Sequence, residues 1–207
     1  MISDVVAEVE TQSGGRGSIV AAVKHRTDEE LSWALENGIV HLGENRVQEH
    51  KNRTLLPTQA VWHFIGRIQT NKAKLIAQGF SWVHSLFRLK EAAALVKSEP
   101  PYPYTLIEVN LGESSKGGLS PEELPAFVDS VRDQYPELPL KGLMAMPPPT
   151  KNPETNRASF AHLRQLGDAL FDAPVLSMGT SQDWQIALQE GSTFVRLGTA
   201  LFGDRNG

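Results

Sequence analysis

Ile19-Val20-Ala21-Ala22-Val23 is an unbroken apolar run, closed by Lys24. A strand with one wet face alternates polar and apolar side chains. A run without alternation suits a strand buried on both faces, as in a parallel sheet covered by helices. Helix punctuation follows at once. Thr27 with Glu30 reads as a capping box, Leu31, Ala34 and Leu35 form an apolar face, and Gly38 ends the helix. A second apolar run, Ile39–Leu42, starts directly after it. The unit is strand, helix, strand.

That unit recurs to the end of the chain. Val61–Ile65, Phe80–Val83, Tyr104–Leu111, Leu138–Met146, Pro174–Met178 and Thr193–Leu197 bring the strand candidates to eight. Between them, Ser120-Pro121-Glu122-Glu123 supplies a cap, a first-turn proline and a third-position glutamate, followed by Leu124, Phe127, Val128 and Val131 on one face. Ser181 reads as the cap of a helix bearing Trp184, Ala187 and Leu188 and closed by Gly191; Phe160, Leu163 and Leu170 outline another. Fainter helices fall at 44–56, 70–78 and 87–97, and residues 1–17 read as a short helix followed by a glycine-rich loop. Eight strands alternating with helices predict an α/β protein built as a single (β/α)8 barrel. With 207 residues there are about 26 per unit, so the whole of 1–207 is expected to form one domain. An open doubly wound sheet is the alternative, and it usually has fewer strands.

Composition narrows the function classes. The chain has no cysteine, which excludes disulfides, thiolate metal sites and cysteine nucleophiles. Its net charge of −4 argues against a protein whose main task is gripping nucleic acid. No apolar run approaches the length of a membrane span, and Met1-Ile2-Ser3-Asp4, with Glu8 and Glu10 following, lacks the pattern of a signal peptide. The expected location is the cytoplasm. Six histidines, at positions 25, 41, 50, 63, 84 and 162, show no metal-ligand spacing, so no metal site is expected. His63, inside Val61-Trp62-His63-Phe64, reads as a strand histidine with a hydrogen-bond partner.

In a barrel of this kind chemistry sits at the C-terminal ends of the strands. Lys24 closes strand one, where desolvation and nearby cations can make an amine nucleophilic; alternatively its stem lies on apolar surface with the ammonium in water. Ser177-Met178-Gly179-Thr180-Ser181 ends strand seven and opens into a helix, and Gly198-Thr199-Ala200 follows strand eight. Free amides at such ends bind phosphate, although helix capping by Ser181 and a plain turn at Gly198 fit as well. Arg196 lies within a strand, pointing either inward, where it needs a partner, or outward to a helix carboxylate. Lys72 and Lys74 could contact an anion, but a solvated helix start suits them better. Taken together, these ends favour a phosphate-bearing carbonyl compound as ligand.

Several ordered motifs resemble the pyridoxal-phosphate homeostasis protein family. They are Ala22-Val23-Lys24, Gly43-Glu44-Asn45-Arg46-Val47-Gln48-Glu49, the stretch from Trp62-His63-Phe64-Ile65-Gly66 to Gln69-Thr70-Asn71-Lys72, Val109-Asn110 with Glu113-Ser114-Ser115-Lys116-Gly117-Gly118, Gly142-Leu143-Met144-Ala145-Met146-Pro147, Leu176 to Ser181, and Val195 to Gly203. The chain differs in carrying His25-Arg26-Thr27 where relatives often have a second lysine and a proline. The resemblance implies a barrel like the N-terminal domain of alanine racemase, with pyridoxal 5′-phosphate (PLP) held on Lys24 as a Schiff base. It further implies Asn45 and Met144 near the cofactor ring, Arg196 near the pyridine nitrogen, and Ser177, Gly179, Thr180, Gly198 and Thr199 around the phosphate. The implied role is cofactor homeostasis with an effect on amino-acid and keto-acid pools, without robust catalysis, in a monomer that hands PLP to apo-enzymes. A PLP-dependent amino-acid racemase and a Schiff-base aldolase acting on a phosphorylated sugar are the alternatives.

Overall fold

A computed structural model of the chain describes residues 2–53, 58–112 and 117–203. Eight strands form a closed, all-parallel barrel in sequence order: β1 (Ser18–Ala22), β2 (His41–Glu44), β3 (Val61–Phe64), β4 (Trp82–Leu86), β5 (Tyr104–Val109), β6 (Leu140–Ala145), β7 (Val175–Thr180) and β8 (Phe194–Leu197). Closure is made by β1 against β8, with Val20 opposite Arg196 and Ala21 opposite Leu197. The predicted (β/α)8 barrel is therefore the fold. Among the described residues no helix is long and apolar enough to cross a membrane.

The helices are α1 (Ile2–Ser13), α2 (Asp28–Glu36), α3 (Val47–Lys51), α4 (Ala73–Gly79), α5 (Leu89–Leu95), α6 (Leu124–Gln134), α7 (Arg157–Leu170), α8 (Trp184–Gln189) and α9 (Thr199–Phe202). The capping box before α2 forms as read, Thr27 and Glu30 bonding each other's backbone amides. Ser120 and Glu123 exchange the same reciprocal bonds, yet regular helix begins only at Leu124. Ser181 does not cap α8. That helix starts at Trp184, and Asp183 takes the Thr180 amide at 2.7 Å while Ser181 turns toward β8.

The apolar core lies between strands and helices, where Leu31, Leu42, Ile76, Leu124, Phe160 and Leu163 are fully buried. The barrel interior is different. Barrels of this class usually fill it with branched aliphatic layers. Here His63, His84, Ser177 and Arg196 are buried inside beside Val20, Leu106, Met144 and Phe194. The Phe194 ring centroid lies 5.0 Å from that of His63 and 5.3 Å from that of His41.

His50 is a separate buried histidine, on α3, with its ring 4.5 Å from both Trp62 and Phe80. Burial, aided by the nearby Arg53 cation, lowers its pKa to about 4. The unfolded chain takes up a proton here near the ordinary value of 6.5, while the folded chain stays neutral, so stability falls as the pH drops from 6.5 toward 4. Replacing His50 with Leu should flatten the pH dependence of stability over that interval by about 1.4 kcal/mol per pH unit, one proton's worth. Urea unfolding at a series of pH values measures it; an unchanged slope in the variant would refute a neutral His50.

Candidate functional site

The C-terminal mouth of the barrel is assembled from the ends of β1, β2, β6, β7 and β8. At the first, the Val23 amide still bonds the Gly43 carbonyl at 3.0 Å, which carries the chain along β2 as far as Lys24. Lys24 is half-buried and makes no hydrogen bond or ion pair among the described residues. The following residue, His25, adopts a left-handed conformation (φ +58°) and turns the chain toward α2, its amide donating to Glu49 at 3.3 Å.

The loop around Lys24 is held from below by a residue that local sequence pattern does not reveal. Arg53 donates to the carbonyls of Val23 (2.9 Å) and Arg26 (3.2 Å) and pairs with the fully buried Glu44. Its side chain is only 7% exposed, so this is a buried ion pair in which each charge answers the other. Desolvation pushes the Glu44 carboxyl upward against the pull of Arg53. The partners come from positions 23, 26, 44 and 53, and nothing at any one position signals the rest.

Asn45, next after β2, is exposed at the rim. Its backbone passes so close to Gly66 that a Cβ there would lie 2.0 Å from the Asn45 carbonyl oxygen, which is why residue 66 has no side chain. Asn45 also lines a cavity of about 470 Å3 with Arg46, Phe64, Arg67 and Lys72. Lys72 thus faces a cavity on the flank of the mouth. Lys116 and its neighbours Glu113, Ser114 and Ser115 lie outside the described residues.

On the far side, strand register sets Glu108, Met144 and Ser177 side by side across β5, β6 and β7. Met144 is buried and Glu108 half-buried, its carboxyl pushed upward chiefly by desolvation, against the pull of Arg67 and Arg196. Arg196 points inward. It donates to the Ser177 hydroxyl at 2.6 Å, the Ser177 carbonyl at 2.8 Å and the Ala145 carbonyl at 3.1 Å. These bonds do not exhaust the donors of a guanidinium. Burial lowers its pKa to about 10, with Asp183 and Glu108 acting in the opposite sense, so it keeps its charge at neutral pH.

Ser177, expected among the phosphate donors, is fully buried, and its hydroxyl bonds Arg196 and the His84 ring. Thr180 is likewise engaged, its amide and hydroxyl both donating to Asp183, which accepts on its other oxygen from Asn156 at 2.8 Å. Gly179 has φ +92°, and a Cβ would come within 2.6 Å of Ala187, so β7 can reach α8 only through glycine here. At the β8 end the amides of Gly198 and Ala200 converge on one oxygen, the Ser181 hydroxyl, at 3.2 and 3.1 Å. Exposed Thr199 lies between them. A loop whose amides meet at a single oxygen is organised as an anion cradle organises its donors. The site therefore brings together Lys24, Met144, Arg196, Gly198 and Thr199, with Asn45 at the rim and Ser177 and Thr180 as supports.

The family described as alanine racemase, N-terminal domain, matches residues 6–206. A protein of Pseudomonas aeruginosa named pyridoxal phosphate homeostasis protein is 41% identical, the alignment covering 99% of this chain and 94% of that one. The protein of the same name from Escherichia coli K12 is 35% identical over 91% of this chain and 86% of that one. Among solved structures, PipY of Synechococcus elongatus PCC7942 superimposes with TM-scores of 0.84 without PLP and 0.82 with PLP bound. It is 30% identical, with 98% of this chain and 100% of that one covered. Alanine racemase from E. faecalis, at 17% identity and a TM-score of 0.72 over 99% of this chain and 59% of its own, shares the fold. With an amine, a buried arginine and converging amides at the mouth of this barrel, the chain belongs to the pyridoxal phosphate homeostasis protein family.

Proposed function

We propose that this protein binds pyridoxal 5′-phosphate in the barrel mouth, through Lys24, and serves in intracellular PLP homeostasis as a holder of the cofactor, without robust turnover. The observation that carries the reading is the pairing of two features across the β1–β8 seam. One is an amine without a partner among the described residues; the other is a pair of amides already converging on one oxygen. Bound PLP supplies an aldehyde for covalent attachment and a ring that can draw electrons from attached groups. Lys24 provides the attachment point, Gly198, Thr199 and the Ser181 hydroxyl receive the phosphate, Gly179 shapes the cradle, and Arg196 faces the ring. Met144 would contact the ring, and Asn45 would stand at the rim. The same reading makes residues 1–207 one PLP-binding domain, acting as a cytoplasmic monomer that passes cofactor to apo-enzymes.

Attachment at Lys24 is tested by borohydride reduction of the PLP-loaded protein followed by peptide mass mapping. The label should fall on Lys24, and visible absorption should appear on loading and vanish in Lys24→Ala; a label on Lys72 or Lys74 instead would refute the assignment.

The phosphate should contribute more to affinity than the ring, because charge-assisted hydrogen bonds contribute roughly 1.5–3 kcal/mol each. Pyridoxal without its phosphate should bind at least about a hundredfold more weakly in equilibrium titrations. A Cβ at Gly198 meets Ala22 at an ordinary 3.7 Å, so Gly198→Leu should fold while losing PLP, whereas Gly179→Ala should lose stability first. Equal affinity for the two vitamers would contradict a phosphate cradle.

Racemisation needs an acid/base on the face of the substrate opposite the lysine. The tyrosines are Tyr102, Tyr104 and Tyr135, and none stands at a strand's C-terminal end: Tyr104 opens β5, Tyr135 follows α6 and Tyr102 precedes β5. Incubating loaded protein with single amino-acid enantiomers in deuterated water should give inversion far slower than about 1 per second. Faster, Lys24-dependent turnover would establish an enzyme instead.

A further inference from the structure

Three histidines from adjacent strands bond one another ring to ring inside the barrel. His41 Nδ1 lies 2.9 Å from His63 Nε2, His63 Nδ1 lies 2.8 Å from His84 Nε2, and His84 Nδ1 lies 2.9 Å from the Ser177 hydroxyl. The last contact crosses the interior from β4 to β7, and Ser177 in turn accepts from Arg196. At the other end His41 lines a cavity of about 280 Å3 at the N-terminal end of the barrel, with Glu10, Gly17, Ser18 and Val40. One chain of hydrogen bonds thus runs from the buried arginine of the mouth to a cavity at the opposite end.

We propose that these four residues act as a single oriented chain, its direction set from above by Arg196 and reset from below by a proton on His41, so that the lower face of the barrel regulates how firmly Arg196 is held at the mouth. The inference rests on the proposed function only for its consequence on cofactor binding; the chain itself is a property of the protein alone.

Donor bookkeeping gives the direction. A neutral imidazole has one N–H and one lone pair, and a guanidinium only donates. With Arg196 donating to its oxygen, Ser177 spends its own hydrogen on His84 Nδ1. His84 then carries its proton on Nε2 and gives it to His63 Nδ1. His63 does the same toward His41 Nδ1, and His41 holds Nε2–H toward the cavity. Every donor and acceptor between the rings is used once. The opposite orientation makes His84 and Arg196 both donate to Ser177 and strips the serine hydrogen of its acceptor.

One proton added to the chain, its charge resting on His41 beside the cavity, reverses it. His41 then carries hydrogens on both nitrogens, so His63 must accept at Nε2 and bear its hydrogen on Nδ1; His84 must do the same, and Ser177 receives two donors. One proton enters and none leaves. The Arg196–Ser177 bond now competes with His84, which loosens the guanidinium. The titratable groups facing His41 are His63 and His84 in the chain and Glu10 of α1 across the cavity, while β1 and β8 present Val20 and Phe194. Burial lowers the pKa of His41, so reversal belongs to the acid side of the ordinary histidine range.

The test is nitrogen NMR of the protein with labelled histidine and no added cofactor, at about pH 8 and about pH 5. At the higher pH His41, His63 and His84 should all be neutral Nε2–H tautomers; at the lower, His63 and His84 should convert together to Nδ1–H as His41 becomes doubly protonated. His41→Asn keeps an oxygen to accept from His63 but cannot titrate, so its two remaining rings should stay Nε2–H throughout. Ser177→Ala should leave the rings with mixed tautomers. Nδ1–H rings at the higher pH, or rings that switch singly, would overturn the chain. PLP titration supplies the consequence: the wild-type to His41→Asn affinity ratio should fall by about fivefold or more between the two conditions. A constant ratio alongside the tautomer switch would overturn the coupling to the mouth, and absence of PLP binding by both proteins at either pH would refute the proposed function and with it that coupling, leaving the oriented chain standing.

Discussion

Arg196 is a full charge inside a barrel, with no carboxylate in hydrogen-bond contact among the described residues, and the mouth is built around that fact. A lone buried cation is costly unless oxygen atoms take the place of water. Here two backbone carbonyls, from Ala145 and Ser177, and one hydroxyl surround it. Those carbonyls belong to β6 and β7, so the arginine of β8 ties its own strand to both. The hydroxyl needs an acceptor of its own, and His84 is that acceptor in the orientation Arg196 imposes. The polar interior is therefore a consequence of the arginine, passed from strand to strand.

The eight strands are legible in sequence because burial on both faces leaves short apolar runs, and helix caps separate them. At β4 the polar interior blurs the boundary. The run Phe80–Val83 suggests a strand that stops before His84, whereas β4 is Trp82–Leu86 and contains His84 and Ser85. An interior that accepts histidine removes the apolar signal where the strand continues. At the start of that run, Phe80 ends α4 rather than opening a strand. Lys24, Arg196 and the two glycine-bearing loops are legible because their position at strand ends carries the argument. Partners are not. Ser181 looks like a helix cap from its neighbours, but its hydroxyl serves amides seventeen and nineteen residues away. The chain linking positions 41, 63, 84 and 177 exists only once β2, β3, β4 and β7 face one interior.

The Lys24 loop shows the same division of labour by a different route. The Lys24 ammonium has no partner among the described residues, so the position of the loop is fixed through the backbone. Arg53 does this by binding the carbonyls on either side, of Val23 and Arg26, while Glu44 balances the charge. Losing Arg53 would leave the fully buried Glu44 unpaired, a loss of about 3–5 kcal/mol for such pairs, whereas Arg53 without Glu44 would keep only the longer carboxylate contact, to Asp28 at 3.6 Å. The pair is better understood as a device for fixing a loop than as a source of stability.

These choices explain why the interior is not simply filled with leucine and valine. An aliphatic interior would remove the protons that the buried histidines force the unfolded chain to take up in acid, and would raise stability there. It would also leave Arg196 with two carbonyls, free to swing away from the mouth. A chain in which each ring has one hydrogen to give and one lone pair to fill makes the serine oxygen available from one direction only, and so holds the guanidinium in one pose. The histidine interior trades acid stability for a fixed cation at the mouth. Because the last ring reaches a cavity at the far end, the same bonds that fix the arginine expose its support to the solvent below.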